Sequence, residues 1–263
     1  MQITSVQNPL IKQAMALRDP KMRKATGLTL IDGLREIQRA LEAGVAIETI
    51  FYCPKFIGNQ VGLKLLAAQK KLGVEVADKV FEKIAYGERA EGVIAVARIS
   101  FKHFNDLKLP ENPLVVVIES IEKPGNLGAV LRTCDGAGVD ALLVCTPQTD
   151  IYNPNVIRAS IGTVFTVPVA VGTKEDVIAF LRKHKIKALG AFPDANGIYT
   201  RTHLKGPLAI VLGTEDEGLS FFWQKHCDMK VKIPMKGRAD SLNVSVSAAI
   251  IIYEALRQRQ VFF

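Results

Sequence analysis

Mostly apolar segments recur through the second half of the chain, and segments with helical periodicity separate them. The apolar segments lie at residues 114–120, 141–145, 167–171, 187–192 and 208–213. Continuous apolar character is typical of strands buried on both faces of a parallel sheet. Strands that alternate with helices predict an open, mostly parallel α/β sheet. Because such sheets bind ligands beyond the carboxyl ends of their strands, the loops after Ser120, Leu212 and Ile233 are candidate binding loops.

The first hundred residues contain a second, smaller set of alternating elements. We expect helices near residues 9–18, 34–43, 62–72 and 80–85, and strands near 28–31, 49–52, 74–76 and 93–97. Residues 100–113 are polar, contain two prolines and have no clear period, which predicts a linker. The sequence therefore predicts one α/β domain over residues 1–99, the linker over 100–113 and a second domain over 114–263.

The composition favours some partners and excludes several classes of protein. The 34 Lys and Arg exceed the 26 Asp and Glu, and the net charge of +8 suits a polyanionic partner such as nucleic acid. The four cysteines and four histidines are scattered, which indicates neither a disulfide framework nor a metal site. No signal peptide is recognisable at the start, and the longest apolar run is too short to span a bilayer. We expect a cytoplasmic protein that binds neither membrane nor metal.

Two glycine-rich strings resemble nucleotide-binding motifs but lie in the wrong context. The string GAGVDA at 136–141 matches the dinucleotide pattern, yet the predicted helix precedes it and the predicted strand follows it. We expect its glycines to cap the helix instead. The string GTEDEGLS at 213–220 has the glycine spacing of a P-loop, but Leu219 replaces the lysine and three acids would repel a phosphate. A solvated acidic turn explains that string when it is considered alone.

Polar residues also follow the other two candidate strand ends. In the segment 118–138 a helix is predicted to begin near Asn126, which can cap it. Arg132 follows without an acid three or four residues before it. It is either a surface arginine whose stem packs on the core or an anion site suited to phosphate. In the segment 233–258, Ser241 or Asn243 is expected to cap a long helix with one apolar face.

Taken together, the three segments resemble the SpoU (TrmH-type) RNA ribose 2′-O-methyltransferases of the SPOUT superfamily. The matching strings are EKPGNLGAVLRTCDGAG, IVLGTEDEGLS and IPMKGRADSLNVSVSAAIIIYEALRQ, in this order within residues 114–263. In the first domain, ITSVQNPLIKQ and LIDGLREIQRALEAG resemble the ribosomal-protein-like RNA-binding domain of many members. The resemblance implies a deep trefoil knot, an exception to the rule against knots, with S-adenosyl-L-methionine as cofactor. It also implies a homodimer in which two knotted domains complete each site.

The resemblance assigns roles to individual residues. It implies cofactor contacts, largely through backbone groups, at Leu212, Gly213, Ile233, Met235, Ser241 and Leu242. It implies active-site positions at Asn126, Arg132, Glu215 and Asn243. In the family proposal the motif arginine is the base, but arginine scarcely deprotonates in proteins. Arg132 can instead grip the neighbouring phosphate and lower the pKa of the hydroxyl, with Glu215 and Asn126 orienting the arginine or the ribose.

The implied activity is S-adenosyl-L-methionine-dependent 2′-O-methylation of a ribose in structured RNA. The RNA-binding domain favours 23S ribosomal RNA over transfer RNA as substrate. The alternatives are a transfer RNA ribose methyltransferase, an antibiotic-resistance ribosomal RNA methylase and a non-catalytic RNA-binding protein with the same fold. The residues that argue against the non-catalytic alternative are Asn126, Arg132, Glu215, Ser241 and Asn243, which are all present.

Overall fold

The computed structural model describes residues 2–85, 91–214 and 217–259, and the chain divides into two compact units. Unit 1 comprises Met1–Ser100 and Asp150–Thr166, and unit 2 comprises Phe101–Thr149 and Val167–Phe263. The sequence pattern had placed residues 150–166 in the second domain. The structure groups residues 150–166 with unit 1 instead. Residues 101–113, predicted as part of a linker, belong to unit 2, where Leu107 is buried in the core.

Unit 1 is built on a four-stranded sheet. Its strands are β1 (Leu28–Asp32), β2 (Ile47–Tyr52), β3 (Gly73–Glu75) and β4 (Val93–Arg98), in the order β1-β4-β2-β3. Its first five helices are α1 (Pro9–Ala16), α2 (Pro20–Thr26), α3 (Leu34–Glu42), α4 (Gln60–Ala68) and α5 (Asp78–Ile84). Strand β4 pairs antiparallel with β1 and β2, and β3 pairs parallel with β2. The sequence predicted each of these elements except α2.

Helix α2 has a clear start signal that the periodicity alone did not reveal. The Asp19 side chain accepts a hydrogen bond from the Lys21 amide at 2.8 Å, and Pro20 occupies the first helical position. An aspartate cap followed by proline is a favoured helix start. Gly27 ends the helix with φ of 67°, a left-handed conformation that glycine adopts readily. Of its seven residues only Met22 and Ala25 are apolar, apart from the initial proline, which is too few for a clear apolar period.

The segment Asp150–Thr166 joins unit 1 through a buried charge. Arg23 is 1% exposed, and its Nε donates to Asp150 Oδ2 at 2.6 Å. A buried guanidinium needs a nearby carboxylate, because an unpaired charge in the interior is costly. The Thr29 hydroxyl donates to the Tyr152 carbonyl at 2.7 Å, and helix α7 (Pro154–Ala159) packs on β1. These contacts hold the segment against the sheet of unit 1.

Unit 2 contains a seven-stranded sheet in which every neighbouring pair is parallel. The strands are β5 (Leu114–Glu119), β6 (Ala141–Cys145), β7 (Val169–Gly172), β8 (Lys187–Ala191), β9 (Gly197–Ile198), β10 (Leu208–Leu212) and β11 (Met229–Lys232). Their order is β7-β6-β5-β10-β8-β11-β9. Strands β5, β6 and β10 are buried along their whole length. The predicted mostly parallel α/β sheet is confirmed.

Four helices of unit 2 cover this sheet. They are α6 (Pro124–Gly136), α8 (Lys174–Lys183), α9 (Phe221–His226) and α10 (Val244–Gln258). Helices α8 and α9 contribute Val177, Leu181 and Trp223 to the buried cluster that contains Val115 and Val117 of β5. Helices α6 and α10 pack against each other, and α10 also packs on β10. This arrangement brings the starts of α6 and α10 close to the central strands.

Two predicted helix starts are settled by the capping geometry. Helix α6 begins at Pro124 with Lys123 as N-cap, so the prediction that Asn126 caps it was wrong. The Pro-Gly pair is the start of the helix, because proline at the first helical position needs no amide partner. For α10, Asn243 is the N-cap, and its side-chain oxygen accepts from the Ser245 amide at 2.9 Å. Of the two candidates Ser241 and Asn243, the cap is therefore Asn243.

The string GAGVDA lies after a helix and before a strand, the order that argued against dinucleotide binding. Helix α6 ends at Gly136, and β6 begins at Ala141. Gly138 adopts φ of 63° just after the helix, as expected for a glycine that ends one.

None of the helices in the described ranges is long and apolar enough to cross a membrane. The same ranges hold no group of three or more His, Cys, Asp or Glu side chains placed to bind a metal ion.

Candidate active site

The central strands β5 and β10 of unit 2 lie side by side and end at the same edge of the sheet. Strand β6, which follows β5 in the chain, lies on the outer side of β5. Strand β8 lies on the outer side of β10, so the chain has neighbours of the central pair on both sides. A crevice forms where the strand order reverses in this way. The segments that follow β8, β10 and β11 enclose a cavity of about 390 Å³ at this edge. We call it the large cavity.

Every residue predicted to contact the cofactor lines the large cavity. These residues are Leu212, Gly213, Ile233, Met235, Ser241 and Leu242. Phe192, Leu219, Val231 and Val244 add apolar surface to the lining, and Asp194 and Asp240 add carboxylates. A cavity lined by both apolar and polar groups can bind a nucleoside-sized ligand. The sequence segments, which lie far apart along the chain, are thus brought together as the resemblance implied.

Gly213 is held against the backbone that follows it. A Cβ atom at this position would lie 2.1 Å from the carbonyl carbon and oxygen of Gly218, so a side chain cannot be accommodated there. Thr214 and Gly218 exchange two backbone hydrogen bonds of 3.2 Å, which close a tight loop. Glu215, one of the four predicted active-site residues, lies outside the described residues. The loop therefore contributes backbone at close range to the large cavity.

A buried carboxylate anchors the end of this loop. Glu119, the last residue of β5, is 4% exposed and accepts hydrogen bonds from the Ser220 amide at 2.8 Å and the Ser220 hydroxyl at 2.7 Å. The sequence analysis did not single out Glu119, although an acid at the end of an otherwise apolar strand is an available signal. Burial, with a further contribution from the Glu119 charge, raises the pKa of Cys145 to about 12. The Cys145 thiol is therefore protonated at neutral pH.

A second cavity of about 240 Å³ adjoins the first, and we call it the small cavity. The two share the lining residues Gly213, Thr214, Glu217 and Val244. The remaining lining comes from the segment after β5 and from one residue after β6, namely Ser120, Ile121, Glu122, Lys123, Asn126 and Gln148. The loop after β10 thus forms a wall common to both cavities.

Two of the predicted active-site residues meet beside the small cavity. The Asn243 side chain donates to the Asn126 side-chain oxygen at 3.2 Å. Asn126 belongs to the first turn of α6, and Asn243 is the N-cap of α10. The side-chain oxygen of Asn243 also accepts from the Ser245 hydroxyl at 2.7 Å. Sequence positions from the first and third motifs are therefore in direct contact.

Arg132 lies apart from this pair. It is exposed on α6 and lines neither cavity. Six residues of an α-helix turn through about 600° and rise about 9 Å, so Arg132 and Asn126 point about 120° apart. Among the residues that the structure describes, Arg132 makes no hydrogen bond or salt bridge. One copy of the chain does not bring Arg132 to the side of the small cavity where Asn126 and Asn243 meet.

Comparison with known families gives two matches that together span most of the chain. Residues 113–253 match the SpoU rRNA Methylase family. Residues 8–95 match the MRM3-like substrate binding domain. The first match contains all ten residues proposed above for cofactor contact or the active site. The second lies within the first predicted domain.

Similar proteins and structures agree with these matches. The chain is 34% identical over 193 residues to the 23S rRNA (guanosine-2′-O-)-methyltransferase RlmB of Pectobacterium atrosepticum, covering 71% of this chain and 79% of that protein. A crystal structure of an RNA 2′-O ribose methyltransferase superposes with a TM-score of 0.88 at 39% identity, covering 99% of this chain and all of that one (100%). The AdoMet-bound rRNA methyltransferase of Sinorhizobium meliloti superposes with a TM-score of 0.87 at 29% identity, covering 98% of this chain and 97% of that one.

Proposed function

The chain belongs to the SpoU rRNA methylase family, and from this premise we propose that it methylates a ribose 2′-hydroxyl in 23S ribosomal RNA, with S-adenosyl-L-methionine as methyl donor. The relative from Pectobacterium atrosepticum is named for that reaction on 23S rRNA, and the similar structure from Sinorhizobium meliloti contains AdoMet. The observation that carries the proposal is the meeting of all six predicted cofactor residues in the large cavity.

The large cavity suits the donor, and its residues would hold it as follows. Leu212 and Gly213 line the cavity, and the absence of a side chain at Gly213 lets the Gly218 backbone pack against it and shape the cavity wall. Ile233, Met235 and Leu242 supply apolar contacts for a purine. The carboxylates of Asp194 and Asp240 can accept hydrogen bonds from hydroxyl or ammonium groups. The donor, when bound, supplies an electrophilic methyl group on a sulfonium.

The small cavity is the proposed site for the target ribose. It shares the loop after β10 with the large cavity, so a ribose there lies next to the donor site. Asn126 and Asn243 offer amide groups that can orient ribose hydroxyls, and Lys123 adds positive charge to the lining. Alignment of a weak nucleophile with its electrophile supplies much of the rate enhancement in reactions of this kind. Glu215 follows Thr214, a residue of the shared wall, in sequence, and we retain it as an active-site candidate.

The position of Arg132 supports a homodimer whose two copies complete each site. Val246 and Tyr253 of α10 are 46% and 50% exposed, and they lie two turns apart on one face of the helix. Next to this face lies Gly136, where an added Cβ would be 3.4 Å from the Tyr253 hydroxyl, and Arg132 precedes Gly136 by one turn. A twofold contact through α10 would carry Arg132 toward the small cavity of the other copy. There it would bind the phosphate beside the target ribose or act as the base that deprotonates the 2′-hydroxyl.

Three further features belong to this proposal. The segment after β11 lines the same cavity as the loop after β10, an arrangement consistent with the trefoil knot expected over residues 114–263. Residues 1–99 serve as the RNA substrate-binding domain, supported by the match of residues 8–95 to a substrate binding domain. We place the enzyme in the cytoplasm because ribosomal RNA is its substrate.

Methylation of purified RNA tests the proposed function. The protein is incubated with methyl-tritiated S-adenosyl-L-methionine and, separately, with unmodified 23S ribosomal RNA transcripts and unmodified transfer RNA. We expect label in 23S RNA, recovered as a 2′-O-methylated nucleoside after digestion, and little in transfer RNA. Label found only in transfer RNA would show that transfer RNA is the substrate instead. RNA binding without label in either RNA would support the non-catalytic alternative.

A further inference from the structure

An aromatic ring lies exposed immediately after the loop that both cavities share. Phe221, the first residue of α9, is 66% exposed, the largest exposed fraction among the large hydrophobic side chains of the described ranges. Its neighbours in α9 are accounted for by packing, because Trp223 is buried and Phe222 packs partly against the same core. Single exposed apolar side chains are common on protein surfaces. The surroundings of Phe221 are what distinguish it.

Two lysines and a histidine lie against the aromatic residues of α9. Lys225 Nζ lies 4.6 Å from the centre of the Phe221 ring. Lys174 Nζ lies 5.4 Å from the Phe222 ring, and the His226 ring stacks on Phe222 at 4.2 Å. The sequence of α9, FFWQKH, contains no acidic residue. We call Phe221, Phe222, Lys225, His226 and Lys174 the aromatic-basic surface.

The aromatic-basic surface is fixed in position relative to the candidate active site. Ser220, the residue before Phe221, is held by two hydrogen bonds to the buried Glu119 at the end of β5. Three residues after Phe221 in the chain, Gln224 contributes to the lining of the large cavity. The buried Trp223 anchors α9 to the core. The backbone at Phe221 is therefore anchored at the same sheet edge as both cavities.

We propose that Phe221, assisted by Lys225, is a stacking platform for an unpaired base of the RNA substrate. This inference rests on the proposed function, which supplies the RNA. A base can stack on an exposed aromatic ring whatever its identity, and neighbouring lysines neutralise the adjoining phosphates. The charge of the surface favours a polyanion over an apolar segment of another protein. The platform would hold a nucleotide that flanks the target ribose.

The platform predicts the form of RNA that is recognised. Bases in an A-form duplex are stacked on each other and shielded, whereas bases in loops, bulges and single strands can be splayed onto an aromatic side chain. We therefore expect the aromatic-basic surface to recognise a loop or single-stranded segment beside the methylated nucleotide. A fully paired target would not use the Phe221 ring.

Binding of a single-stranded RNA oligonucleotide to the full-length protein tests the platform. The probe is a 12-nucleotide RNA with one 2-aminopurine, whose fluorescence is quenched when it stacks. The variants are Phe221→Ala, Phe221→Leu, which keeps an apolar side chain without a ring, and Phe221→Trp. The matched control is Phe101→Ala, which removes another exposed ring, 52% exposed, from unit 2. Affinity for S-adenosyl-L-homocysteine, measured by calorimetry, reports on the large cavity.

The expected result separates stacking from a structural effect. Phe221→Ala and Phe221→Leu should weaken RNA binding by about 5- to 150-fold, the effect of losing one base–aromatic stack. Both should also abolish the quenching, while Phe221→Trp and Phe101→Ala behave like the wild type. Affinity for S-adenosyl-L-homocysteine should be unchanged in all four. The leucine variant keeps the test valid if the alanine variant folds poorly.

The outcomes distinguish this inference from the proposed function. RNA affinity and quenching that are unchanged in Phe221→Leu would overturn the platform, even if the wild type methylates 23S RNA. A change of oligomeric state in Phe221→Leu would instead assign the ring to a protein contact, which also overturns it. A wild-type protein that binds no S-adenosyl-L-homocysteine and transfers no methyl group would refute the proposed function itself.

Discussion

The side-chain amide of Asn243 donates a 3.2 Å hydrogen bond to the side-chain oxygen of Asn126, and this bond joins the starts of α10 and α6. The oxygen of Asn243 is meanwhile held by the amide and hydroxyl of Ser245 at 2.9 and 2.7 Å. One residue therefore caps a helix and orients a neighbour that lines the small cavity. The cap and the site cannot be altered independently at Asn243.

Replacement of Asn243 by alanine should affect both stability and catalysis. Loss of the cap should lower the free energy of unfolding by about 0.5–2 kcal/mol. Loss of the contact with Asn126 should also slow methyl transfer, by about 10- to 100-fold, because small misplacements of positioning groups have large effects on rate. The matched control is Asn153→Ala, which removes an equivalent cap, a 2.9 Å bond from the Asn155 amide. Equal rates in the two variants would argue against a positioning role for Asn243.

A methyl group added at Gly213 should disrupt the large cavity. The new Cβ would lie 2.1 Å from Gly218 backbone atoms, which cannot move aside as a flexible side chain could. We expect Gly213→Ala to lower the free energy of unfolding by about 1–3 kcal/mol and to weaken the binding of S-adenosyl-L-homocysteine at least about tenfold, as measured by calorimetry. Gly58 has no atom within 4 Å of an added Cβ, so Gly58→Ala should leave binding unchanged. Normal binding by Gly213→Ala would mean that the loop is not part of the donor site.

The two hydrogen bonds between Glu119 and Ser220 should stabilise the loop that both cavities share. In Glu119→Gln one acceptor oxygen is replaced by a donor group that faces a donor of Ser220, at a cost of about 1–3 kcal/mol. Ser220→Ala removes only the hydroxyl partner and should cost less. Because the two residues share these bonds, the double variant should lose less stability than the sum of the single variants. Additive losses in urea denaturation would show that the two side chains are not coupled.

The parts of the fold that could be predicted are those whose sequence signal is local. Strands β5, β6 and β10 are buried throughout, so their continuous apolar sequence identifies them. Strand β11 alternates Met229, Lys230, Val231 and Lys232, and only Val231 is fully buried. The sequence predicted a strand end at Ile233, but this alternation gives no continuous apolar run from which to bound the strand. Helix α9 has six residues, and its exposed Phe221 weakens the expected apolar face.

Contacts between distant residues could not be predicted in this way. Arg23 and Asp150 are separated by 127 positions, and Glu119 and Ser220 by 101. No periodicity links such partners, so the transfer of residues 150–166 to unit 1 and the anchoring of the shared loop were both missed. The six predicted cofactor residues were selected because the family resemblance supplied long-range information, and they line one cavity. The same resemblance did not indicate that Arg132 points away from Asn126.

The separation of Arg132 from Asn126 within one chain leads to a prediction that depends on the dimer. Arg132→Ala should slow methyl transfer by orders of magnitude with little change in donor affinity, because Arg132 lines neither cavity. Arg182→Ala, which removes an exposed arginine from α8, should retain the wild-type rate. Arg132→Lys keeps the charge but loses the planar fork, so substantial activity in it would favour a simple electrostatic role.

Mixed dimers decide whether Arg132 serves its own site or that of the partner. Arg132→Ala and Asn126→Ala homodimers should both be inactive. If each site combines Asn126 of one copy with Arg132 of the other, a mixed dimer of the two variants retains one intact site. Subunits exchanged at equal amounts should then recover about a quarter of the wild-type rate, because about half of the dimers are mixed and each has one working site. If both residues act within one chain, both sites of the mixed dimer are damaged and no activity returns. Single-turnover methyl transfer after refolding the mixture therefore separates the two arrangements, and a failure to recover activity would refute the shared site.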